Sequence, residues 1–219
     1  MNTYWIIDYR IRLLSDFHAG AGITLVTGNT HGLRLDEESQ PYLPATQVRG
    51  LLRQAGHNIK RSIPELQGLF KQNFPDGSAD IAAEKNYAAV NSPRGWSFTR
   101  AMVKDAESRE DGLQPWSRQA HVHIDPVSGV VLNLFGYEKA GAKKPGESME
   151  LVGRIYSNTP AEEKDAALML ACMRFEDRIG HRRSRGYGKV DWVWDSVRSF
   201  TPGSSLEAKT PKDIFEKLF

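Results

Sequence analysis

The sequence predicts an α+β fold with a ferredoxin-like (RRM-like) core, insertions in its loops and a central hairpin. Three observations carry this expectation. The chain opens on a strictly alternating stretch. It contains two helical patterns, one early and one late. Strand-like runs flank both, so the core order is strand, helix, strands, helix, strand, which fits helices packed on one side of an antiparallel sheet. The expected organisation is a single domain over residues 1–198, with an insertion at about 58–120 and a tail over 199–219.

In residues 4–14, Ile7, Tyr9, Ile11 and Leu13 point one way and Asp8, Arg10 and Arg12 the other. Period two marks a half-buried strand. His18-Ala19-Gly20-Ala21-Gly22 follows, small residues that let the backbone turn or approach another group closely. The next stretch, through Gln40, reads as a polar loop. Residues 44–55 read as a helix with Val48, Leu51, Leu52 and Ala55 as its apolar stripe. Arg49 and Arg53, spaced i, i+4, share a face beside that stripe. Gly50 costs this helix about 1 kcal/mol relative to alanine, which close packing or close ligand approach would explain. Residues 58–119 are the least regular, with a short helix at 63–70 and a strand at 96–103.

Strands follow at 121–124, 130–135 and 148–156, with a basic turn, GAKKPG, at 141–146. Thr159-Pro160-Ala161-Glu162 reads as a capping box with proline at the first helical position. Leu168, Ala171, Cys172, Phe175 and Ile179 then recur at helical spacing, and Gly180 supplies the stop. Residues 190–194 form a last strand, on which Trp192 and Trp194 share a face, and residues 211–219 a short amphipathic stretch.

The chain has 219 residues, 40% hydrophobic and 26% charged, which suits a globular protein with a real core. No apolar run approaches the ~20 residues of a membrane helix. The first residues lack a signal-peptide layout, and one cysteine, Cys172, excludes an internal disulfide. A cytoplasmic location is expected. Net charge is only +2, so the distribution of charge matters more than its total. Positive residues cluster at Arg49 and Arg53, at Lys143 and Lys144, and at Arg182, Arg183 and Arg185.

The last cluster lies in residues 180–189, GHRRSRGYGK. Three glycines let main-chain N–H groups converge on an anion. Three arginines supply permanently charged planar forks suited to phosphate. Tyr187 offers a ring for stacking on a base or sugar. Alone, these residues indicate phosphate binding. His121, His123 and Asp125 lie on one strand face, an arrangement that suits an RNA-facing surface or a metal.

Residues 179–190 resemble the C-terminal glycine-rich loop of the RAMP superfamily, the RNA-binding subunits of CRISPR effector complexes. Three other stretches agree in order. His18 to Gly22 resembles the early H-x-G-x-G turn. PYLPATQVRGLLR at 41–53 resembles the P-Y-I-P-G-S-S-L-K-G-x-L-R helix start. HIDPVSGVVLNLFGYE at 123–138, with residues 149–156, resembles the central strand, hairpin and strand. Size and order are most similar to the type III backbone subunit. The resemblance implies RNA contact by His18, Gly20, Arg49, Gly50, Arg53, Lys143, Lys144, Arg182, Arg183, Ser184, Arg185 and Tyr187. It implies crRNA and target RNA as partners, with other effector subunits and further copies of the chain. Ala45 and Thr46-Gln47 depart from the motif's Gly and Ser-Ser but keep hydroxyl and amide donors.

In type III backbone subunits that cut target RNA, an aspartate precedes the helix motif. His31 falls at that position and Asp36 follows five residues later. These two are the catalytic candidates, with neutral imidazole as a general base on a 2′-hydroxyl. No tightly bound cofactor is expected; a divalent metal enters only if target RNA is cut. The leading expectation is therefore a guide-RNA scaffold that holds crRNA for target recognition in antiviral defence. The alternatives are a target-RNA endoribonuclease of the same complex, a crRNA-processing endoribonuclease and a nucleotide-binding module.

Overall fold

The computed structural model describes residues 2–24, 30–75, 95–104, 116–141, 149–181 and 186–218, with only the backbone path for 21–24, 30–31, 121–123 and 131–135. The main sheet contains β1 (Tyr4–Leu13), β4 (Tyr42–Leu43), β5 (Trp96–Phe98), β6 (Ala101–Val103), β9 (Glu150–Ser157), β10 (Val190–Phe200) and β11 (Glu207–Lys209). Its order is β11-β10-β1-β9-β6-β4, with β5 also on β9, and every pairing is antiparallel. With α1 (Ala45–Ser62) and α3 (Glu163–Phe175) as crossovers, β10-β1-β9-β6 is the ferredoxin-like order the sequence predicts. β5 and β6 are one strand interrupted at Thr99, whose hydroxyl accepts the Arg154 N–H at 2.8 Å in place of a backbone carbonyl.

A second sheet, absent from the sequence reading, has the order β2-β3-β8-β7. It joins β2 (Gly20–Thr24) and β3 (Thr30–Leu33) to the hairpin of β7 (Trp116–Ile124) and β8 (Val131–Ala140). Much of the supposed polar loop before Gln40 is thus strand. Its residues are small or polar, so alternation is hard to see. Phe17 clips the sheets together: its N–H donates to Ala140 O at 2.7 Å and its carbonyl accepts the Ala140 N–H at 2.9 Å. Buried residues from both sheets and the helices, Leu33 and Ala140 of the second sheet among them, form one cluster.

Alternation in β1 is realised fully: Trp5, Ile7, Tyr9, Ile11 and Leu13 are buried under the helices. Tyr9 lies so close to Gly153 that a Cβ there would overlap its hydroxyl. α1 runs seven residues past the expected end at Ala55, and Gly56 lets Phe70 and Cys172 pack against it. Phe70 lies in α2 (Gln67–Asn73), which follows a 3₁₀ turn.

Two expectations at α3 are corrected. The capping box is Glu162 with Asp165, not Thr159 with Glu162, because Ala161 N–H is engaged with Thr3 O and keeps the chain extended. The helix ends at Phe175, so Ile179 and Gly180 lie beyond it. Asp165 also acts across the core. Its Oδ1 accepts Asn73 Nδ2 at 2.6 Å, and Asn73 Oδ1 accepts Trp96 Nε1 at 2.6 Å. This buried chain ties α2, α3 and β5 together. Residues 199–219, read as a tail, extend β10, add β11 beside it and end in α4 (Pro211–Glu216). Ile214 and Leu218 are buried, and Phe215 packs on Trp194 at 5.8 Å. Among the described residues no helix is long and apolar enough to cross a membrane.

The sheet face away from the helices carries ion pairs. Asp8 accepts Arg154 Nε at 2.5 Å, Ser196 Oγ at 2.7 Å and a bond from Arg198. Glu150 meets Arg10 at 3.2 Å, Arg12 at 3.4 Å and Lys104 at 3.5 Å. Asp195, the extra residue at a β-bulge beside Asp8 and Tyr9, takes Arg10 Nε at 2.6 Å. Burial opposes ionisation of Asp8 and Glu150, but the arginine hydrogen bonds and charges outweigh it and hold both carboxyls below their ordinary values. A depressed folded-state pKa contributes stability above the unfolded value and loses it as pH falls. The thermal midpoint should therefore be steady above about pH 5 and drop as pH falls below about 4. An Asp8→Asn variant should show a shallower drop when the two are followed by circular dichroism.

Candidate nucleic-acid interface

Residues 178–181 and 186–189 pair as the base of a hairpin rather than continuing α3. Arg178 bridges Lys189, Ile179 N–H donates to Gly188 O at 2.8 Å, and Val190 N–H donates to Asp177 O at 2.9 Å. Starting several residues past the helix, the hairpin escapes most of the repulsion that a helix C-terminus exerts on anions. One glycine lets it lie against the turn after β1, and a second lets its own two sides close. Gly180 has φ +74°, and a Cβ there would be 2.5 Å from His18 O. Gly188 has φ +70°, and a Cβ there would overlap Ile179 O. In their absence His181 N–H reaches His18 O at 2.9 Å and Gly188 N–H reaches Asp16 O at 2.7 Å.

The turn is itself pinned. His18 is buried, and its Nδ1 donates to Glu138 O at 2.5 Å. Its ring lies 5.8 Å from that of His181 and 6.0 Å, edge-on, from that of Tyr137. Gly20 sits over both imidazoles: a Cβ there would meet His18 Nε2 at 3.2 Å and His181 at 3.3 Å. The buried Glu138 carboxylate accepts Leu33 N–H and Arg118 Nη2, each at 3.0 Å. Ala19 O accepts Arg34 N–H at 2.8 Å, and Gly20 O accepts Arg34 Nε at 3.1 Å. Arg34 O accepts Tyr42 N–H at 3.3 Å, and three residues later α1 begins. A continuous hydrogen-bonded path therefore runs from the glycine-rich hairpin, through the His18 turn, to the start of α1.

Tyr187 docks the hairpin onto the second sheet. Its hydroxyl and that of the fully buried Tyr137 each lie 3.1 Å from Gln119 Oε1, and the two hydroxyls are within hydrogen-bond distance of each other. The rings meet edge to face at 5.6 Å. The polar end of Tyr187 is thus held by the protein. Arg182, Arg183, Ser184 and Arg185 lie outside the described residues, as do Lys143 and Lys144. Of the basic stretch at residues 141–146 only Gly141 is described, where it sits against Asp16; the central hairpin turns at residues 125–130.

On α1, Arg49 and Arg53 are half-buried and Gly50 is exposed. A Cβ added at Gly50 would meet nothing within 4 Å, so packing within the described chain does not account for this glycine. The first turn of α1 carries no acidic residue, and its N-cap, Pro44, makes no side-chain cap. The positive end of the helix dipole thus has no anionic side chain in that turn.

The catalytic candidates His31 and Asp36 lie in different local settings. His31 sits within β3, paired with Thr24 of β2 and Tyr137 of β8, and its side chain is outside those described. Asp36 lies past the end of β3, where its Oδ1 accepts Glu38 N–H at 3.0 Å and Gln40 N–H at 2.8 Å. His121 and His123, on β7, also fall among the side chains not described.

A RAMP superfamily model matches residues 10–191, a span that takes in the His18 turn, α1 and the glycine-rich hairpin. The chain belongs to the RAMP superfamily. It is therefore a CRISPR-associated RNA-binding or RNA-processing subunit. Among curated proteins there is no match. In this RAMP protein, reading the sequence missed His181, Arg34, Gln119, Tyr137 and Glu138 as parts of the site. His181 is adjacent to Gly180 and was readable; the others depend on strand register.

The close approaches in the hairpin have measurable consequences. Gly188→Ala combines a left-handed backbone with a clash against a carbonyl, and should lower urea-unfolding stability by about 3 kcal/mol. Gly186→Ala, at φ +85° but facing open space, should cost about 1 kcal/mol.

Proposed function

We propose that this RAMP protein is a guide-RNA-binding backbone subunit of a type III-like CRISPR effector complex. It holds crRNA for target recognition in antiviral defence, beside other effector subunits and further copies of itself. The observation that carries this reading is Gly50. It weakens an otherwise well-formed helix, it is exposed, and nothing in the described chain packs on it. A glycine between Arg49 and Arg53 lets a phosphate backbone approach the helix while two guanidinium groups flank it. The path through Arg34 and His18 supports a surface continuous with the glycine-rich hairpin.

The main sheet supports the same choice of surface. An RRM uses exposed aromatics on its open face to stack bases. Here the centre of that face is a set of mutually paired charges. Asp36 serves as the acceptor of a tight turn, which favours holding RNA over cutting it.

Gly50→Ala separates binding from folding. Alanine should raise the thermal midpoint, since it adds about 0.5–1 kcal/mol of helix stability. The same variant should bind single-stranded crRNA more weakly. Arg49→Gln should lower affinity and flatten its salt dependence, with the slope of log K against log salt falling by about 0.7. Filter-binding titrations at several salt concentrations check both. Unchanged affinity in both variants, or wild-type protein that binds no RNA, would sink the proposal.

A further inference from the structure

We propose that the RNA-binding surface of α1 continues past Arg53 as a basic rail formed by His57, Lys60 and Arg61, running the length of the helix. The inference rests on the RNA-binding reading above and extends its footprint to residues outside the motif that the sequence resembles.

α1 is 18 residues long and contains no Asp or Glu. With about 100° per residue, Arg49, Lys60, Arg53, His57 and Arg61 fall in one sector about 120° wide. Thr46 and Gly50 share the sector. Val48, Leu51, Leu52, Ala55 and Ile59, all buried, lie on the other side. From Arg49 to Arg61 the rise is about 18 Å, enough for several consecutive phosphates of an extended strand.

The far half of the rail is shaped as well as charged. Lys60 Nζ lies 4.2 Å from the centre of the Phe70 ring, and the His57 ring meets the same ring edge-on at 6.1 Å. Phe70 is buried, so α2 holds both side chains at the helix surface. Lys60 and Arg61 also sit in the last turn, where cations favour the helix dipole. That explains a basic residue at the C-terminus. It does not explain why the side chains of the sector from Arg49 onward are all basic. A polyanion tracking the helix explains both, and the guide strand proposed above is such a polyanion.

The test compares three variants with wild type by salt titration with single-stranded RNA long enough to span the helix. Lys60→Gln with Arg61→Gln should bind about tenfold more weakly near 0.1 M salt, and its log–log slope should fall by about 1.4. Arg61→Glu alone, at an exposed position, should weaken binding at least as much as loss of one charge does, while the lost dipole interaction lowers the thermal midpoint only slightly and leaves the protein folded. A charge control, Lys212→Gln with Lys217→Gln, changes exposed residues at α4, on the other side of α3, and should bind like wild type.

If both rail variants bind like wild type while Arg49→Gln binds weakly, the rail ends at Arg53 and this inference fails alone. An equal loss in the α4 control would show that net charge, not the rail, is being read, and would also overturn it. If polyglutamate of matched charge competes as well as RNA, the rail fits an acidic protein partner instead. If wild-type protein binds no RNA, the underlying reading fails too.

Discussion

Residues 178–181 and 186–189 meet each other and the turn at residues 16–18 because Gly180 and Gly188 carry no side chain: a Cβ at Gly180 would strike His18 O, and one at Gly188 would strike Ile179 O. Both residues also occupy the left-handed region, where L side chains are disfavoured. Sterics and conformation thus select glycine independently at the same positions. Once the approach is made, His18 O and Asp16 O each accept an N–H from the hairpin. The rest of the site follows from that docking. His18 is positioned by Glu138, Glu138 orders β3 and Arg118, and Arg34 passes the connection to β4 and α1.

Much of this order was legible in the sequence. Alternation in β1 identified both faces of the central strand, and the apolar stripe of α1 identified its buried side. The arginines and glycines of the hairpin stood out as a local composition. Contacts made by register were not legible. Nothing local pairs Gln119 with Tyr137 and Tyr187, and nothing local shows that Phe17 clips two sheets together. The end of α3 was misplaced because Ile179 is fully buried and falls at helical spacing. An apolar residue in a buried connector gives the same signal as one on a helix face. The final residues were read as a tail because their few apolar side chains look sparse in sequence. Three of them suffice to cover α3 and Trp194.

The glycines of α1 show why a residue type needs its surroundings before it has a meaning. Gly50 and Gly56 lie six residues apart in one helix. Gly56 has Phe70 and Cys172 against it and is explained by packing. Among the described residues, nothing lies within 4 Å of a Cβ built at Gly50. The sequence reading offered close packing and ligand approach as rival explanations for Gly50, and the structure removes the first.

Charge follows the same logic. The main sheet face and α1 both carry several arginines, and composition alone does not distinguish them. On the sheet, Asp8, Glu150 and Asp195 stand among Arg10, Arg12, Arg154 and Arg198 at hydrogen-bond distances, so the field of that face is largely cancelled within a few ångströms. On α1 the helix itself supplies no carboxylate. Placing anions along the sheet would require opening ion pairs whose carboxyls are already stabilised in the charged form. Anions laid along α1 meet no carboxylate of that helix. Electrostatics therefore supports the proposed binding surface along α1 over the open face of the sheet, whose charges are largely paired with one another.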